Sequence, residues 1–515
     1  MTGGFRSIGD AVNGTSQGES QLKIGLRLLE SVCNLADMPS NEEKKIAFRE
    51  ERIAHWDRVA KGPRREMGRG YHKRLAHMYR MVIPEGLRVL EIGCGQGDLL
   101  DALKPSDGVG VDFSPEMIRQ AEKRFSHLKF VCADAHDFRL DGVFDAVVLS
   151  DILNDLWDVQ QLLRNLKHCI GDHTRIVINN YSRLWQPALS LVARWGWITP
   201  TLEQNWFTRE DIQNLLHLEG YEVVKQSSEV LFPFEVPLLS ALANRFLAKL
   251  PGFRLFDLTN MIVARRLPPA PRVGDSMPKV TVVVAARNEE GNIPDLFRRI
   301  PEMGSGTEII FVEGGSKDGT YGAIERAIPA HPGRNVKLMR QPGKGKGDAV
   351  RTGFAAATGD ILMILDADMT VSPEDLPRFY EAIVEGRGEF INGVRLVYPM
   401  EKQAMRFFNL IGNKFFSLAF SWMLSQTVKD TLCGTKVMTK KNYDRIAANR
   451  SYFGDFDPFG DFDLLFGAAK QSLRIVDMPV RYGERTYGDT NIERWKHGVL
   501  LLRMVAFAAK RIKFI

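Results

Sequence analysis

Apolar and polar positions along the chain fall into two long stretches of alternating strand and helix patterns, separated by a short segment with no period at all. From Asn41 to Ala60 charged residues interleave with Ile46, Phe48, Ile53 and Trp56 at helical spacing, which predicts a lead-in helix. Strand and helix patterns then alternate to about Arg265. Such alternation implies a parallel sheet with helices on both faces. The segment Arg266 to Pro278, RLPPAPRVGDSMP, holds four prolines and predicts a stiff extended linker and a domain boundary. Alternation restarts at Lys279 and runs to about Pro399. Residues 1–40 open with Gly- and Ser-rich sequence and a short helical pattern from Leu22 to Leu35, and form an extension of unread function. The expected organisation is therefore an extension (1–40), a first α/β domain (41–265), a linker (266–278) and a second α/β domain (279–515). No internal repeat links the halves.

The predicted strands end in chemistry. In the first half VLEIGCGQGDLL, Val89 to Leu100, runs from an apolar strand through Gly93, Gly95 and Gly97 into a helix start. Glycines at the carboxyl end of a first strand let the backbone pass close to a ligand in the crevice of an open α/β sheet. The spacing is not that of the dinucleotide fingerprint, and Glu91 sits inside the strand; both features count against NAD. The next strand ends at Asp112, where a carboxylate can accept both hydroxyls of a ribose. A third ends at Asp134, beside Ala135, and a fourth, FDAVVLSDIL, carries Ser150 and Asp151. His136 and His173 are histidines near this region, and neither is assigned a role. The aromatic-rich stretch from Tyr181 to Leu250 reads as core packing with a share in substrate choice.

In the second half KVTVVVAARNEE is a β-branched strand running through Ala286 to Asn288 and Glu289. EIIFVEGGSKDGT ends at Glu313 and a turn containing Ser316. QPGKGKGDAV offers Lys344 and Lys346 alternating with glycines, so backbone and ammonium groups can both approach a phosphate. The strand in GDILMILDADM delivers Asp366 and Asp368 to a sheet edge. Two carboxylates there can hold a hard divalent cation, Mg or Mn, while leaving sites for phosphate oxygens. About a hundred residues on, FGDFDLL places Asp461 and Asp463 at a predicted helix start, where either can act as a base or as a cap. RTYGDTN follows, with Arg485.

These motifs resemble two families. Over roughly Asn41 to Arg265 the chain is similar to the class I S-adenosylmethionine-dependent methyltransferases: EIGCGQG looks like their first motif, Asp112 like the ribose-binding acid, Asp134 with Ala135 like the adenine-edge contact, and Ser150-Asp151 like the fourth-strand motif. Over most of Lys279 to Ile515 it resembles the inverting GT-A-fold glycosyltransferases, and within them the dolichol-phosphate mannosyltransferase-like enzymes. Glu313 stands where that family carries an Asp, and Asn491 where it carries a lysine. The resemblance implies a Rossmann-like methyltransferase sheet followed by a GT-A domain. It implies S-adenosylmethionine held around Glu91, Gly93, Gly95, Gly97, Asp112, Asp134, Ala135 and Ser150. It implies a nucleotide-diphosphate sugar held around Ala286, Asn288, Glu289, Glu313, Ser316, Lys344, Lys346, Asp366 and Arg485, a divalent cation on Asp366 and Asp368, and Asp461 as catalytic base with Asp463 second. The acceptor is a membrane-linked or glycan hydroxyl, or else the phosphate of a polyprenyl lipid. In the latter case the methyltransferase half serves an unrelated acceptor, or is a cofactor-binding module that regulates the second half.

Composition changes this picture little. At 515 residues two domains or more are expected. A formal net charge of +6 suits phosphorylated substrates or an anionic membrane surface and does not call for nucleic acid. The five cysteines are scattered without ligand spacing, which argues for a reducing cytosol and against a disulfide framework or zinc site. The N-terminus shows no secretory pattern. No run approaches the ~20 apolar residues of a spanning helix, but Met405 to Leu424 and the terminal helix bearing Lys496, Arg503 and Lys510 are amphipathic enough to lie on a bilayer. The expected location is the cytoplasm, with the protein peripheral at the inner face of the plasma membrane.

Overall fold

The computed structural model describes residues 41–62, 69–195, 202–234, 236, 238–268, 276–395, 407–450, 460–483, 485, 487 and 502–514. The extension 1–40, most of the proline-rich linker, Asn491 and Lys496 lie outside the described residues. So does the side chain of Asp461.

Two seven-stranded mixed sheets organise the chain. The first contains β1 (Arg88–Ile92), β2 (Asp107–Asp112), β3 (Lys129–Cys132), β4 (Phe144–Ser150), β5 (Ile170–Tyr181), β6 (Tyr221–Glu229) and β7 (Thr259–Arg266), in the order β3-β2-β1-β4-β5-β7-β6. Strands β1 to β5 run parallel; β7 is antiparallel to β5 and to β6. The second contains β8 (Val280–Ala286), β9 (Thr307–Glu313), β10 (Asn335–Arg340), β11 (Ile361–Asp366), β12 (Phe390–Val394), β13 (Lys436–Thr439) and β14 (Ile475–Pro479), in the order β10-β9-β8-β11-β13-β12-β14. Here β13 is the reversed strand, antiparallel to β11 and β12. Each sheet thus departs at one strand from the all-parallel arrangement that alternation suggests. A reversed strand needs no helical crossover and leaves no periodic signal of its own.

Apolar side chains cover both faces of each sheet. Leu90, Ile92, Val147, Leu149 and Ile178 bury one face of the first, and Val89, Val148, Val177 and Val263 the other. This explains why β1 and β4 read as near-continuous apolar runs and not as alternating ones. In the second sheet Val282, Val284, Met363 and Leu365 pack on one side and Val283, Leu362 and Ile364 on the other.

The two sheets meet through a buried ion network at their amino-terminal edges. Arg175, near the start of β5, reaches both oxygens of Glu389 at 2.7 Å and donates from Nε to the Ser472 carbonyl at 2.8 Å. Arg265 lies 3.4 Å from Glu389, donates to the Gly386 carbonyl at 2.9 Å, and pairs with Glu222. Arg175, Arg265 and Glu389 are 5%, 3% and 7% exposed. A buried carboxylate between two guanidiniums with a backbone N–H from Arg474 is fully bonded, so its desolvation is offset; removing one partner would leave an uncompensated charge. Glu389 precedes β12, while Arg175, Glu222 and Arg265 sit at the edge of the first sheet opposite its glycine turn. The carboxyl-terminal edges of the two sheets therefore point away from each other.

Candidate active sites of the two sheets

At the carboxyl edge of the first sheet, Gly93, Gly95 and Gly97 all take positive φ, 74°, 52° and 81°. A Cβ on Gly93 would meet Ile152 at 2.8 Å and one on Gly97 would meet Phe130 at 2.8 Å, whereas one on Gly95 would enter open space. The turn is thus shaped by packing at its ends and is open at its centre, where a ligand can lie against bare backbone. Asp112 accepts the Gly95 N–H and the Ser114 N–H, both at 2.9 Å, so β2 and the glycine turn are locked together. Burial pushes the Asp112 carboxyl up to about 6 against the pull of these two donors. Glu91 is 2% exposed, and burial raises its carboxyl well above the ordinary range.

Asp134 and Ala135 border a cavity roofed by the helix Asn41–Lys61, with Phe113, Phe48, Arg49 and Trp157 in its walls. Asp134 Oδ2 lies 3.3 Å from Arg49, and its Oδ1 faces His136 Nδ1 at 2.5 Å. His136 Nε2 accepts the Asp158 N–H at 3.2 Å, which assigns the ring proton to Nδ1 and makes His136 a holder of Asp134. His173 sits at the amino end of β5, on the opposite edge from the glycine turn. Ser150, the last residue of β4, is half-buried.

The next residue, Asp151, is named in the fourth-strand motif, but the sequence assigns it no role of its own. Its φ of 54° turns the chain sharply at the end of β4. The Tyr71 hydroxyl lies 3.1 and 3.2 Å from its two oxygens, and Asn179 Nδ2 donates to Oδ1 at 2.5 Å. Tyr71 also takes the Thr259 hydroxyl at 3.1 Å, and Asn179 accepts from Tyr79 at 2.7 Å. Burial pushes Asp151 up to about 7, opposed by hydrogen bonds from Tyr71, Asn179 and Tyr181. The partners come from 28 to 80 positions away in sequence. The available signal was the one that marks Asp112 and Asp134, an acid directly after a buried strand.

At the carboxyl edge of the second sheet, Ala286 ends β8 opposite Glu313 of β9. Asn288 has φ 57°, takes the Lys317 N–H on Oδ1 at 2.8 Å, and has its own N–H on the Ser316 hydroxyl at 3.0 Å. Glu313 accepts the Ser316 N–H at 2.5 Å. Burial alone would raise its carboxyl, but these bonds and Arg340 hold it below its usual range. Glu289 takes Asn292 Nδ2 at 2.7 Å and lies 3.5 Å from Arg485; burial pushes it up to about 7.

Each acid of the Asp366-Ala367-Asp368 stretch faces a cation. Asp366 pairs with Lys346, the first residue of the helix Lys346–Ala356, and Asp368 Oδ2 accepts Arg485 Nη2 at 2.7 Å. Against the raising effect of burial, Lys346 holds the Asp366 carboxyl down. Lys344 is exposed in the preceding loop. Gly434 closes the group: a Cβ there would collide with both Asp366 and Lys346. Asp430, four residues earlier, is bound instead to Arg395 at 2.7 and 2.8 Å. Asp461 begins the helix Asp461–Lys470 behind Gly460, which packs on Gly347; Asp463, 8% exposed, pairs with Arg450 at 2.7 Å. Among the described residues no group of three or more His, Cys, Asp or Glu side chains is gathered for a metal ion. Two adjacent hard carboxylates at a strand end still fit a divalent cation that completes its shell with phosphate and water oxygens.

No described helix is long and apolar enough to cross a membrane. In the helix Phe407–Leu424, Phe416 and Phe420 are buried while Phe415 and Leu418 are exposed.

Comparison with known proteins matches both halves. Residues 60–226 match a methyltransferase domain family, and residues 281–445 match glycosyl transferase family 2. The chain is 26% identical over 218 residues to an undecaprenyl-phosphate 4-deoxy-4-formamido-L-arabinose transferase of Klebsiella pneumoniae, covering 41% of this chain and 62% of that one. It is 27% identical over 220 residues to a dolichol-phosphate mannosyltransferase of Pyrococcus furiosus, covering 42% and 59%. The chain thus spans less than two thirds of the length of either relative. Among solved structures, a glucosyl-3-phosphoglycerate synthase from Mycobacterium tuberculosis is 19% identical with a TM-score of 0.34, covering 46% of this chain and 80% of that one. The protein carries a methyltransferase domain and a glycosyl transferase family 2 domain in a single chain.

Proposed function

We propose that the chain is a bifunctional transferase, moving a methyl group from S-adenosylmethionine in the first domain and a glycosyl group from a nucleotide-diphosphate sugar in the second. The observation that carries the reading is the different company the strand-end acids keep in the two crevices. Glu91, Asp112 and Asp151 line the first without a cationic partner in their hydrogen bonds, an environment suited to a sulfonium. Lys346 and Arg485 stand on the acids of the second, an environment suited to a diphosphate.

In the first crevice Asp112 holds the ribose hydroxyls, the Gly93 to Gly97 turn lies under the cofactor, and Asp134 with Ala135 borders the adenine. The cofactor supplies an electrophilic methyl group when bound. Asp151 would receive the proton that the acceptor, a hydroxyl or amine, gives up as the methyl group passes to it from the sulfonium sulfur, which leaves as a thioether. Its carboxyl near 7 is matched to that task, and Tyr71 and Asn179 fix its orientation.

In the second crevice Asn288, Glu313 and Ser316 take the nucleoside, while Lys344, Lys346 and Arg485 take the phosphates. A divalent cation, held by Asp366 and Asp368, would add charge neutralisation for the diphosphate leaving group. Asp461 is the base for a hydroxyl acceptor on a membrane-linked or glycan substrate. A second reading, transfer to a polyprenyl phosphate, is favoured by the names of the two relatives. That acceptor is already anionic and needs no base. In Asp461→Asn a rate loss of roughly 10²- to 10⁴-fold, with donor affinity kept, supports the hydroxyl; full activity there with an inactive Arg485→Ala supports the phosphate. Assays with manganese or magnesium, a panel of nucleotide sugars and a lipid extract, read by mass analysis of products, test the function as a whole.

A further inference from the structure

The seam between the domains encloses a second cavity, whose described walls set a cluster of cations among apolar side chains such as Met78, Met261 and Met423. Arg74, Lys225 and Lys249 reach it from the first domain and Lys470 and Lys513 from the second, while Glu229 is the single carboxylate among its described lining residues. That carboxylate is already taken. It pairs with Lys249, and Arg74 stands 4.0 Å away. Lys513, only 7% exposed, meets a neutral group, the Ser425 hydroxyl, at 3.0 Å. Lys225 is half-buried on β6, and its side-chain ammonium makes no hydrogen bond or ion pair with any described residue. Asp257, behind Lys249, is 1% exposed and has neither oxygen bonded.

Cations are withdrawn from water at a cost that only a paired charge offsets. Six cations, Arg74, Lys225, Lys249, Lys470, Arg511 and Lys513, line this cavity from two domains beside one carboxylate that Lys249 already meets, so its lining carries a positive surplus. The strain of that surplus is visible in the lysines. Burial, with Lys513 and Lys470 nearby, pushes Lys225 down to about 8, and burial together with Arg254 pushes Lys513 down to about 8. We propose that this seam cavity is a binding site for a phosphate or phosphomonoester group, held by Arg74, Lys225 and Lys513 across the domain boundary. Ammonium groups bind phosphate as point charges and tolerate loose geometry, which suits side chains arriving from separate elements.

The rim of the cavity indicates what the phosphate can carry. Phe514 packs on Phe246 and Trp422 with ring centroids 5.5 and 5.6 Å apart, and Trp422 lies under Lys513. Leu242 and Phe246 remain 53% and 44% exposed beside it. A lipid headgroup with its chain along this rim and a soluble phosphate share the same chemistry at the cavity floor. Because the ligand contacts both domains, it bridges them and should stabilise the whole chain.

Calorimetry of the full chain with sodium phosphate, against sodium chloride at matched ionic strength, reads the site. The parent protein should show saturable binding and a raised thermal midpoint. Lys225→Gln and Lys513→Gln should each weaken that binding by about tenfold or more and remove the thermal shift. Lys346→Gln, in the second crevice, should leave the seam binding in place. Cosedimentation with phosphatidylcholine vesicles, with and without phosphatidic acid, separates the sources. Phosphatidic-acid-dependent sedimentation lost in the two lysine variants identifies a lipid headgroup, and phosphate binding without vesicle preference identifies a soluble one. Absence of saturable phosphate binding, or binding unchanged in both Lys225→Gln and Lys513→Gln, overturns the proposal.

Discussion

The two crevices occupy the same place in their sheets, yet they treat their carboxylates in opposite ways. In the first, Asp112 and Asp151 are held by backbone N–H groups, tyrosine hydroxyls and an amide, and burial lifts them to about 6 and about 7. In the second, Asp366 and Asp368 are each met by a cation from another element, and Asp366 is held low against its burial. Acids such as Asp112 and Asp151 that are bonded only by neutral groups leave room for a positive ligand. Acids already met by cations, as Asp366 and Asp368 are, suit the polyanion proposed for that crevice. One α/β architecture is thus turned to two chemistries by what stands opposite the strand-end acids.

The largest effect is expected at the second crevice. Asp368→Ala removes the partner of Arg485 and half of the acidic pair, and should abolish glycosyl transfer while cofactor binding in the first domain stays unchanged by calorimetry. Full turnover in the presence of a chelator would count against the cation reading of that pair. In the first crevice Asp151→Asn should slow methyl transfer by roughly 10²- to 10⁴-fold with cofactor affinity retained. The parent rate should rise with pH and level off above about 7, because the carboxylate is the active form and its folded value lies there. The sign for stability is the reverse. A carboxyl raised from 3.8 to about 7 binds its proton more tightly in the fold, so its contribution falls as pH rises across that window and is level above it. Gly434→Ala should cost about 10²-fold in glycosyl transfer by displacing Asp366 and Lys346, with little change in melting temperature. Asp112→Ala, the mildest of these, should weaken S-adenosylmethionine binding by about 1.5 to 3 kcal/mol.

A different variant sharpens the claim that the crevices are independent. Arg175→Ala strips one guanidinium from the buried Glu389 and should destabilise the chain by about 3 to 5 kcal/mol, read by chemical denaturation. Each crevice lies at the far edge of its sheet from this junction. Ligand affinities measured well below the melting temperature should therefore hold.

Much of the layout was legible because it is written locally. The apolar run before Asp366 is β11, and the strand-end acids Asp112, Glu313 and Asp366 were marked by the strands that deliver them. The three glycines of the first turn were marked as a place where backbone can approach a ligand, and in the structure all three take positive φ. What escaped depends on partners far apart in sequence. Asp151 gains its environment from Tyr71, 80 residues earlier, and from Thr259, which itself reaches Tyr71 across 188 residues. The junction between the sheets rests on Arg175 and Glu389, 214 residues apart. Lys346 was read as a phosphate ligand, and in the structure it lies on Asp366, a contact no spacing rule supplies. The reversed strands β7 and β13 escaped for the same reason, since strand direction is set by connection and pairing and not by apolar pattern.

The proposed function requires that one chain hold two separately addressed transferase sites. A single assay that supplies S-adenosylmethionine and a nucleotide sugar, each carrying its own label, to the parent, Asp112→Ala and Asp368→Ala proteins tests it directly. Asp112→Ala should lose methyl incorporation at limiting cofactor while keeping sugar incorporation, and Asp368→Ala should do the converse. Loss of both labels from either variant, with the fold intact, would contradict it.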